Sequence, residues 1–331
     1  MSQTPAAPAA KPAARASRMT LASITKGKVK EPYRIVVHGV DGVGKSSFGA
    51  AAPKPVFLGP ENGTSHLDAA RFPVPKGWDE AFDALRALAA DDSGTYQTLV
   101  VDSVDWLEPL IFRHVCLRAE VEGIEEVGGG YGKGYTAALD EWRRFFSAVE
   151  HLQRARGMHV VLIAHSHIKA FKNPEGEDFE RYVLKLNDKA AALVREWVSG
   201  VYFANFETFA ITDKKKRTRG VSSGSRLLYT QRTAAYDAKD RYSLPESLPL
   251  DWTEFDTCAK AGRVAEPADL RSEIERKAKE MGGEAGQKAL EALGRAGDDT
   301  TRLAQLNSWI NAKLAARPQA EQATKTEEVK S

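Results

Sequence analysis

Short apolar runs alternate along the chain with segments in which apolar residues recur every three or four positions. Runs of strand length occur at Tyr33–His38, Val56–Leu58, Thr98–Asp102 and Val160–Ala164. Helical spacing appears between them, most clearly over 78–89, 106–120 and 142–152. Continuous strands rich in Val, Ile and Leu and separated by helices predict an α/β fold. In that fold a mainly parallel sheet is covered by helices on both faces.

The pattern changes after Ser199. Val201–Thr212 and Arg226–Thr230 predict two strands of a hairpin at the sheet edge, and a turn rich in Lys, Gly and Ser lies between them. From about Glu266 the sequence is highly charged and has helical spacing. We therefore expect a disordered basic arm rich in Ala and Pro at 1–31 and a nucleotide-binding domain at 32–256. A helical appendage at 265–317 and a disordered tail at 318–331 would follow.

Composition excludes several classes of protein. The 331 residues carry 47 Lys and Arg against 45 Asp and Glu, so a formal net charge of +2 gives no global sign of a nucleic-acid partner. The two cysteines are far apart, which argues against a disulfide framework or a cysteine zinc site and favours a cytoplasmic protein. No apolar run is long enough to span a membrane, so no membrane partner is expected. The first 31 residues lack the apolar segment of a secretory signal, and their prolines favour a disordered arm over a transit peptide.

The strongest motif is the stretch Gly39–Ser46, which fits G-x-x-x-x-G-K-[ST], the phosphate-binding P-loop. It lies between a predicted strand and a predicted helix, which is the context that the motif requires. Lys45 would contact the β- and γ-phosphates of ATP, and Ser46 would hold Mg²⁺. A chance match in an ordinary loop is the alternative. The predicted nucleotide-binding residues are Gly39, Val40, Asp41, Gly42, Val43, Gly44, Lys45, Ser46 and Ser47.

Two carboxylates complete the expected chemistry. Asp102 directly follows the apolar run Leu99–Val101, which is the position of the second metal-site residue in a P-loop protein. The alternative interpretation is an ordinary turn aspartate at the end of a strand. Glu61 follows the short strand Val56–Leu58 and is a candidate for orienting the attacking water; its alternative is a solvated turn glutamate.

The order of these motifs resembles the RecA-type ATPase core. A P-loop, a strand followed by Glu, a strand followed by Asp-Ser and a strand followed by a polar residue occur in that order. More narrowly, the chain resembles phage-encoded RecA-like nucleotide-binding proteins, which include minimal recombinases that assist single-strand annealing. The resemblance covers about 23–245, and the stretches GYGKGY and AHSHIK are its most discriminating parts.

The resemblance implies further roles. Glu61 matches the catalytic glutamate, and His165 matches the γ-phosphate sensor, where RecA has a glutamine. Lys239 and Arg241 resemble the paired basic fingers that reach the γ-phosphate of a neighbouring subunit, so a homo-oligomeric ring or filament is expected. The alternatives are a histidine at the edge of the core for His165 and a solvated basic turn for Lys239 and Arg241.

Two loops are candidates for contacting DNA. In RecA-like recombinases the first such loop follows the Asp-Ser strand, and here that position is occupied by the glycine-rich stretch 128–135. The second loop follows the sensor strand, and basic and aromatic residues are interleaved there. An ordinary surface loop is the alternative for both, and the basic run Lys214–Arg219 is either a solvated turn or a further DNA-binding patch. The predicted DNA-contacting residues are Tyr131, Lys133, Tyr135, Lys169, Lys172, Arg181 and Lys185.

Together these features predict an oligomeric ATPase that binds single-stranded DNA and serves recombination or single-strand annealing in the cytoplasm of a bacterial host. A hexameric helicase or DNA-packaging motor on the same core is one alternative. A nucleotide-dependent binding switch with little turnover is another. A small-molecule kinase is disfavoured by the long insertion after Asp102 and by the hairpin. The helical appendage either binds a single-strand-binding protein or acts as a packing cap.

Overall fold

The computed structural model describes residues 20–24, 31–61, 63–174, 176–212, 218–264 and 267–297, with further positions between 302 and 313. The chain divides into two units, Met1–Lys30 and Glu31–Ser331. In the first unit, Leu21–Ser23 forms one 3-10 turn. Residues 1–19 and 25–30 of the predicted basic arm, and the tail predicted at 318–331, lie outside the described residues.

The described part of the second unit contains a sheet of nine strands. The strand order is β3-β2-β4-β5-β1-β7-β8-β9, and β6 pairs with β5 outside this path. Strands β3, β2, β4, β5, β1 and β7 are parallel, whereas β6, β8 and β9 pair antiparallel with their neighbours. The strands are β1 Arg34–Gly39, β2 Pro55–Leu58, β3 Ala70–Arg71, β4 Thr98–Asp102, β5 His159–Phe171, β6 Phe179–Leu184, β7 Gly200–Thr212, β8 Thr218–Tyr229 and β9 Ser247–Pro249.

Helices cover both faces of the sheet. The helices are α1 Lys45–Ala50, α2 Trp78–Ala90, α3 Val104–Ala119, α4 Lys133–Arg156, α5 Asp188–Trp197, α6 Trp252–Val264, α7 Pro267–Met281 and α8 Gly283–Ala296. Alternate residues of β1 face opposite layers: Val36 packs with α2 to α5, whereas Ile35 and Val37 pack with α1 and α6. The predicted α/β fold, mainly parallel and covered on both faces, is therefore confirmed.

The strand register brings the carboxyl ends of the central strands to one edge of the sheet. Gly39, the last residue of β1, is level with His165 in β5 and with Ala204 in β7. Asp102, the last residue of β4, is level with Ile163 in β5. In open parallel sheets the ligand site lies at this edge, so the register assembles the P-loop with the residues that follow β2, β4 and β5.

Gly39 is a point of close approach in this register. A Cβ atom at Gly39 would lie 2.0 Å from the carbonyl oxygen of Ala204, which is far inside van der Waals contact. The absence of a side chain at the start of the P-loop therefore allows β7 to lie beside β1.

The third central strand extends beyond its predicted end. The apolar run Val160–Ala164 predicted a short strand, but β5 continues to Phe171 and pairs antiparallel with β6 from Ser166 onward. The segment predicted as a second DNA-contacting loop is therefore largely a hairpin. Polar and aromatic residues continue the strand because the backbone of β6 supplies its hydrogen-bond partners.

The predicted hairpin is present as β7 and β8, with Phe203 paired to Tyr229 and Thr212 paired to Thr218, but the short strand β9 pairs with the end of β8 and is the last strand on this side of the sheet. In the appendage, α7 and α8 pack around their own apolar cluster. Its buried members are Ile274, Ala278, Met281, Ala289, Leu293, Ala296, Leu303 and Ile310. No helix among the described residues is both long and apolar enough to cross a membrane.

Candidate functional site

The P-loop connects the end of β1 to the start of α1. Gly42 and Gly44 have positive φ angles of 71° and 106°, which an L side chain adopts only with strain. The Lys45 side chain is buried over the loop, and its ammonium donates to the carbonyl oxygens of Gly39 at 3.1 Å and Val40 at 2.9 Å. Burial lowers the pKa of Lys45, while the nearby carboxylates Asp41 and Asp102 oppose this effect. The loop is thus shaped to turn backbone amides and one cation toward a phosphate chain.

Asp102 lies beside Ser46 at the end of β4. Its carboxyl group is buried, and burial raises its pKa, although a hydrogen bond with Ser46 opposes the rise. A buried carboxylate next to a hydroxyl is a suitable donor pair for Mg²⁺, which binds proteins through one or two carboxylates and completes its shell with phosphates and water. Among the described residues no group of three or more His, Cys, Asp or Glu forms a metal cage. The pair therefore suits a metal that a nucleotide helps to hold.

A cavity of about 380 Å³ opens above these residues. Glu61 lies half-buried in its wall and comes from the loop after β2. His165 lines the same cavity from β5, so the fold brings the predicted catalytic glutamate and the predicted sensor to the P-loop. The volume falls within the range of about 300–1,000 Å³ that is common for small-molecule sites. The described lining residues are Gly42, Gly44, Lys45, Ser46, Ser47, Glu61, Gly63, His66, Asp102, His165 and Arg226.

His165 is held by Asp105, which sequence reasoning missed. The Nδ1 atom of His165 lies 2.8 Å from Asp105 Oδ2, and the backbone N–H of His165 donates to Asp105 Oδ1 at 3.0 Å. The hydrogen bond with Asp105 raises the pKa of His165, although partial burial opposes the rise. Burial disfavours the ionised form of Asp105, but the hydrogen bonds from His165 outweigh it and hold the pKa of Asp105 below its usual value. The Nε2 atom is 3.7 Å from Asp41 Oδ1, so this edge of the ring faces the P-loop.

A sequence comparison decides the family. The sequence profile of a family described as "AAA domain" matches residues 31–242, well over half of the chain. The chain belongs to the AAA domain family. This is a family of P-loop nucleoside triphosphatases, so nucleotide binding at Gly39–Ser47 agrees with both the geometry and the family.

Two individual proteins are similar to this AAA domain. The SPbeta prophage-derived uncharacterized protein YorG of Bacillus subtilis (strain 168) is 25% identical over 135 residues. The match spans 40% of this chain and 40% of YorG. A crystal structure of the RadB recombinase aligns with a TM-score of 0.35 and 12% identity, over 66% of this chain and 86% of that one. Neither likeness is strong enough to assign an activity to the whole chain.

Two cavity residues of the AAA domain were not expected from the sequence. Arg226 reaches the P-loop from β8, and His66 lies in the wall after β2. Arg226 is separated from the P-loop by about 180 positions in the sequence and belongs to no motif. Only the pairing of β8 with β7, and of β7 with β1, brings it to the site.

A buried histidine precedes the P-loop directly. His38 contacts Ser166 Oγ at 2.8 Å through Nδ1 and the backbone oxygen of Asp237 at 2.9 Å through Nε2. Burial lowers the pKa of His38 to about 4, so the imidazole is neutral at pH 7. The end of β1 is thereby tied to β5 and to the segment that carries Lys239 and Arg241.

The predicted finger residues differ in their surroundings. Lys239 donates to the carbonyl oxygens of Arg195 and Val198, each at 2.6 Å, and so satisfies the carboxyl end of α5. Arg241 is exposed. Lys239 is level with Val201 near the start of β7, so this segment runs toward the end of the sheet opposite the P-loop. The two residues therefore lie away from the P-loop of their own chain.

The first predicted DNA loop presents one free ring. Tyr131 is 100% exposed and stands among glycines with positive φ angles. Lys133 Nζ donates to the carbonyl oxygen of Gly128 at 2.8 Å. Tyr135 donates to Glu125 at 3.1 Å and packs edge-on against Phe112, so it is less available than Tyr131.

The β5–β6 hairpin corrects the role expected for Arg181. Its side chain is buried, its Nε donates to the carbonyl oxygen of Ala234 at 3.1 Å, and its guanidinium lies over the rings of Phe171 and Phe179. A buried and stacked guanidinium cannot contact a DNA backbone without unpacking this side of the hairpin, so Arg181 is a structural residue here. Lys169 is held by Asp188 at 2.5 Å. Lys172 and Lys185 are exposed.

A second cavity, of about 250 Å³, lies beside this hairpin. Its lining has more cations than carboxylates, and Arg195 and Arg232 contribute to it from outside the hairpin while pairing with Asp237 at 3.4 Å and 3.3 Å. Most of the basic run Lys214–Arg219 lies outside the described residues. The charged residues of the cavity are Lys169, Lys172, Arg181, Arg195, Arg232, Asp188 and Asp237.

Proposed function

We propose that this AAA domain protein hydrolyses ATP, that single-stranded DNA stimulates the hydrolysis, and that the protein serves DNA recombination or single-strand annealing. The observation that carries the ATPase part is the cavity in which Lys45, the Ser46–Asp102 pair and Glu61 converge on one phosphate-binding loop. Membership of a P-loop triphosphatase family supports it.

The proposed mechanism assigns one task to each group. Lys45 and the loop amides neutralise the phosphate chain, and Ser46 and Asp102 are the residues that would hold Mg²⁺, which would supply further positive charge to the phosphates. Glu61 orients the attacking water and accepts its proton. His165 contacts the terminal phosphate through the ring edge that faces the P-loop, and Asp105 fixes the orientation of that ring.

The ATPase proposal is tested by paired substitutions. Glu61→Gln should retain ATP binding and lose hydrolysis by about 10²–10⁴-fold, the range contributed by general acid–base catalysis. Lys45→Ala should weaken binding as well. The matched control is Glu122→Gln, because Glu122 is an exposed glutamate outside the cavity. Hydrolysis at the wild-type rate in Glu61→Gln would transfer the water-orienting role to another residue.

We propose that the active form is a homo-oligomer in which Arg241 completes the site of a neighbouring subunit. The exposure of Arg241 and its distance from its own P-loop support a role between subunits. Lys239 would position Arg241 by anchoring the segment to α5. Mixing Arg241→Ala protein with Lys45→Ala protein should restore part of the activity, since some interfaces then contain both intact groups. No recovery at any ratio, with mixed assembly confirmed, would exclude action between subunits.

The DNA proposal combines the exposed ring of Tyr131 with Lys172, Lys185 and the cationic cavity beside them. Bases would stack on Tyr131, while the lysines and the cavity attract the backbone. The double substitution Lys172→Gln, Lys185→Gln should make the log–log salt dependence of binding shallower by up to about 1.4, at about 0.7 for each phosphate of a single strand. Tyr131→Ala should weaken binding by about 1–3 kcal/mol at an unchanged slope.

Fluorescence anisotropy with a labelled oligonucleotide measures both effects. Lys189→Gln is the matched control, because Lys189 is an exposed lysine on α5 that does not line the cavity. If the control and the double variant give the same slope, the proposed DNA path is wrong.

Two other activities fit the same core. The exposed Arg241 also suits a hexameric helicase or DNA-packaging motor, which a strand-displacement assay would reveal. A nucleotide-dependent switch would bind ATP with little turnover in the presence or absence of DNA. We further propose that the chain functions in the cytoplasm of a bacterial host, with an ATPase domain at 32–256 and an appendage at 265–317 that binds a single-strand-binding protein.

A further inference from the structure

Arg226 is a cationic residue of the cavity, and its guanidinium has no hydrogen-bond or ion-pair partner in the part of the chain that the structure describes. It lies on β8 and pairs with Phe206 of β7. Phe206 is two residues beyond Ala204, which is level with Gly39 of β1. The backbone oxygen of Arg226 accepts from Leu250 N at 2.9 Å, so the strand is fixed at this point. Among the described residues, no carboxylate or carbonyl lies within hydrogen-bond or ion-pair distance of its guanidinium. The side chain is exposed to the cavity rather than neutralised by the fold.

The guanidinium lies directly against the P-loop. Its Nη1 atom is 3.0 Å from the position that a Cβ atom of Gly44 would occupy. Gly44 precedes Lys45, and the backbone amides of this part of a P-loop cradle phosphate oxygens. An arginine presents up to five N–H donors in a planar fork and is a preferred partner of phosphate groups.

The strand order indicates which part of a nucleotide Arg226 would meet. Glu61, Asp102 and His165 follow β2, β4 and β5 or lie within them, on one side of β1. Arg226 comes from β8, on the other side of β1. The Ser46–Asp102 pair marks where the metal and the β- and γ-phosphates belong, so the terminal phosphate lies toward Glu61 and His165. The α-phosphate and the nucleoside then extend toward Arg226.

We propose that Arg226 is a nucleotide-binding residue that contacts the α-phosphate side of the nucleotide within its own subunit. This inference rests on the proposed nucleotide site. Arg226 should therefore contribute equally to the binding affinity for ATP and for ADP, because both contain the α-phosphate, and it should contribute little to the rate of hydrolysis. For Glu61 and Arg241 we expect the opposite: substitutions there should affect hydrolysis more than the affinity for ADP, because these residues act at the terminal phosphate.

The test compares the affinities of ATP and ADP for Arg226→Gln, Arg226→Lys and the wild type, measured by titration calorimetry on the full chain. Arg226→Gln should weaken both nucleotides by a similar factor of about 10–100, the range of hydrogen bonds to charged groups. Arg226→Lys should retain most of the affinity, since a point charge still reaches a phosphate. Arg113→Gln is the matched control, because Arg113 is an exposed arginine on α3 that does not line the cavity.

Other results of the titrations would contradict the proposed role of Arg226. Unchanged affinities in Arg226→Gln, with an unchanged urea midpoint, overturn the proposal. A loss confined to ATP places Arg226 at the terminal phosphate and also overturns it. Equal losses in the Lys and Gln variants replace the phosphate contact with stacking on the base. Absence of nucleotide binding by the wild type would instead overturn the proposed function itself.

Discussion

Glu108 is expected to make the stability of this AAA domain fall as the pH rises. It lies on α3 and is 8% exposed, and its carboxylate oxygens accept from the backbone N–H of Asn187 at 3.0 Å and 3.2 Å. Burial raises the pKa of Glu108 from 4.5 to about 7, although the hydrogen bond from Asn187 opposes the rise. The folded protein therefore holds this proton at pH values where the unfolded chain has released it.

The sign and size of the effect follow from this difference. Below pH 4.5 Glu108 is protonated in both the folded and the unfolded state, so it does not lower the unfolding free energy there. Between 4.5 and about 7 the folded state binds more protons than the unfolded state, and stability falls with pH; above about 7 the loss is complete. At about 1.4 kcal/mol for each pH unit, the full loss is about 3 kcal/mol.

Glu108→Gln should remove this pH dependence. The amide oxygen can still accept from Asn187, and the side chain no longer ionises. The variant should be more stable than the wild type by up to about 3 kcal/mol above pH 7, and the two should agree within about 1 kcal/mol near pH 4.5.

Urea unfolding followed by tryptophan fluorescence, at one protein concentration and at several pH values from about 4.5 to about 8.5, measures the difference in unfolding free energy. Glu122→Gln is the control, because this exposed glutamate lies just after α3 and should show no widening gap. A difference between Glu108→Gln and the wild type that stays constant with pH, or that favours the wild type at high pH, would refute the reasoning.

Three further substitutions test the packing around the site. Gly39→Ala should lower the unfolding free energy by about 1–3 kcal/mol or more, because its Cβ would collide with a carbonyl of β7; Gly77→Ala, where a Cβ meets nothing within 4 Å, should have a much smaller effect in the same urea assay. Asp105→Asn should lower the pKa of His165, since the pair raises it; the NMR titration midpoint of His165 should move to lower pH, and an unmoved midpoint would contradict the pairing. The stabilising contribution of this pair is complete below the unfolded-state pKa of His165 and is lost as the pH rises through the raised value. Arg181→Met should cost about 1–3 kcal/mol of stability, because it removes the hydrogen bond to Ala234 and the stacking of the guanidinium on Phe171 and Phe179, while the salt dependence of DNA binding stays unchanged; a shallower slope would return Arg181 to the DNA path.

The sequence alone determined the elements whose signal is local. The P-loop needs only eight consecutive residues, and its strand and helix adjoin it. The buried strands at Val56–Leu58 and Thr98–Asp102 were predictable because uninterrupted apolar runs of this length are typical of central parallel strands. Asp102 and Glu61 could be placed at the site for the same reason, since parallel strands all present their carboxyl ends at one edge.

The tertiary structure decided the partners of these residues. Asp105 is an ordinary first-turn acid of α3 until the register of β5 brings His165 to it. Arg181 looked like a DNA-binding cation, but whether a cation is free depends on the rings and carbonyls around it. Those come from β5, from the start of β6 and from the segment after β8.

Arg226 is the clearest case of a site residue that local sequence patterns cannot predict. Local periodicity and motifs describe neighbours along the chain, whereas the pairing of β8 with β7 and of β7 with β1 depends on contacts between segments far apart in the sequence. A side chain on β8, two strands away from β1, therefore enters the nucleotide cavity without any local sequence signal. The sequence determined the phosphate-binding loop and the sheet that holds it, and long-range packing decided which other charges meet there.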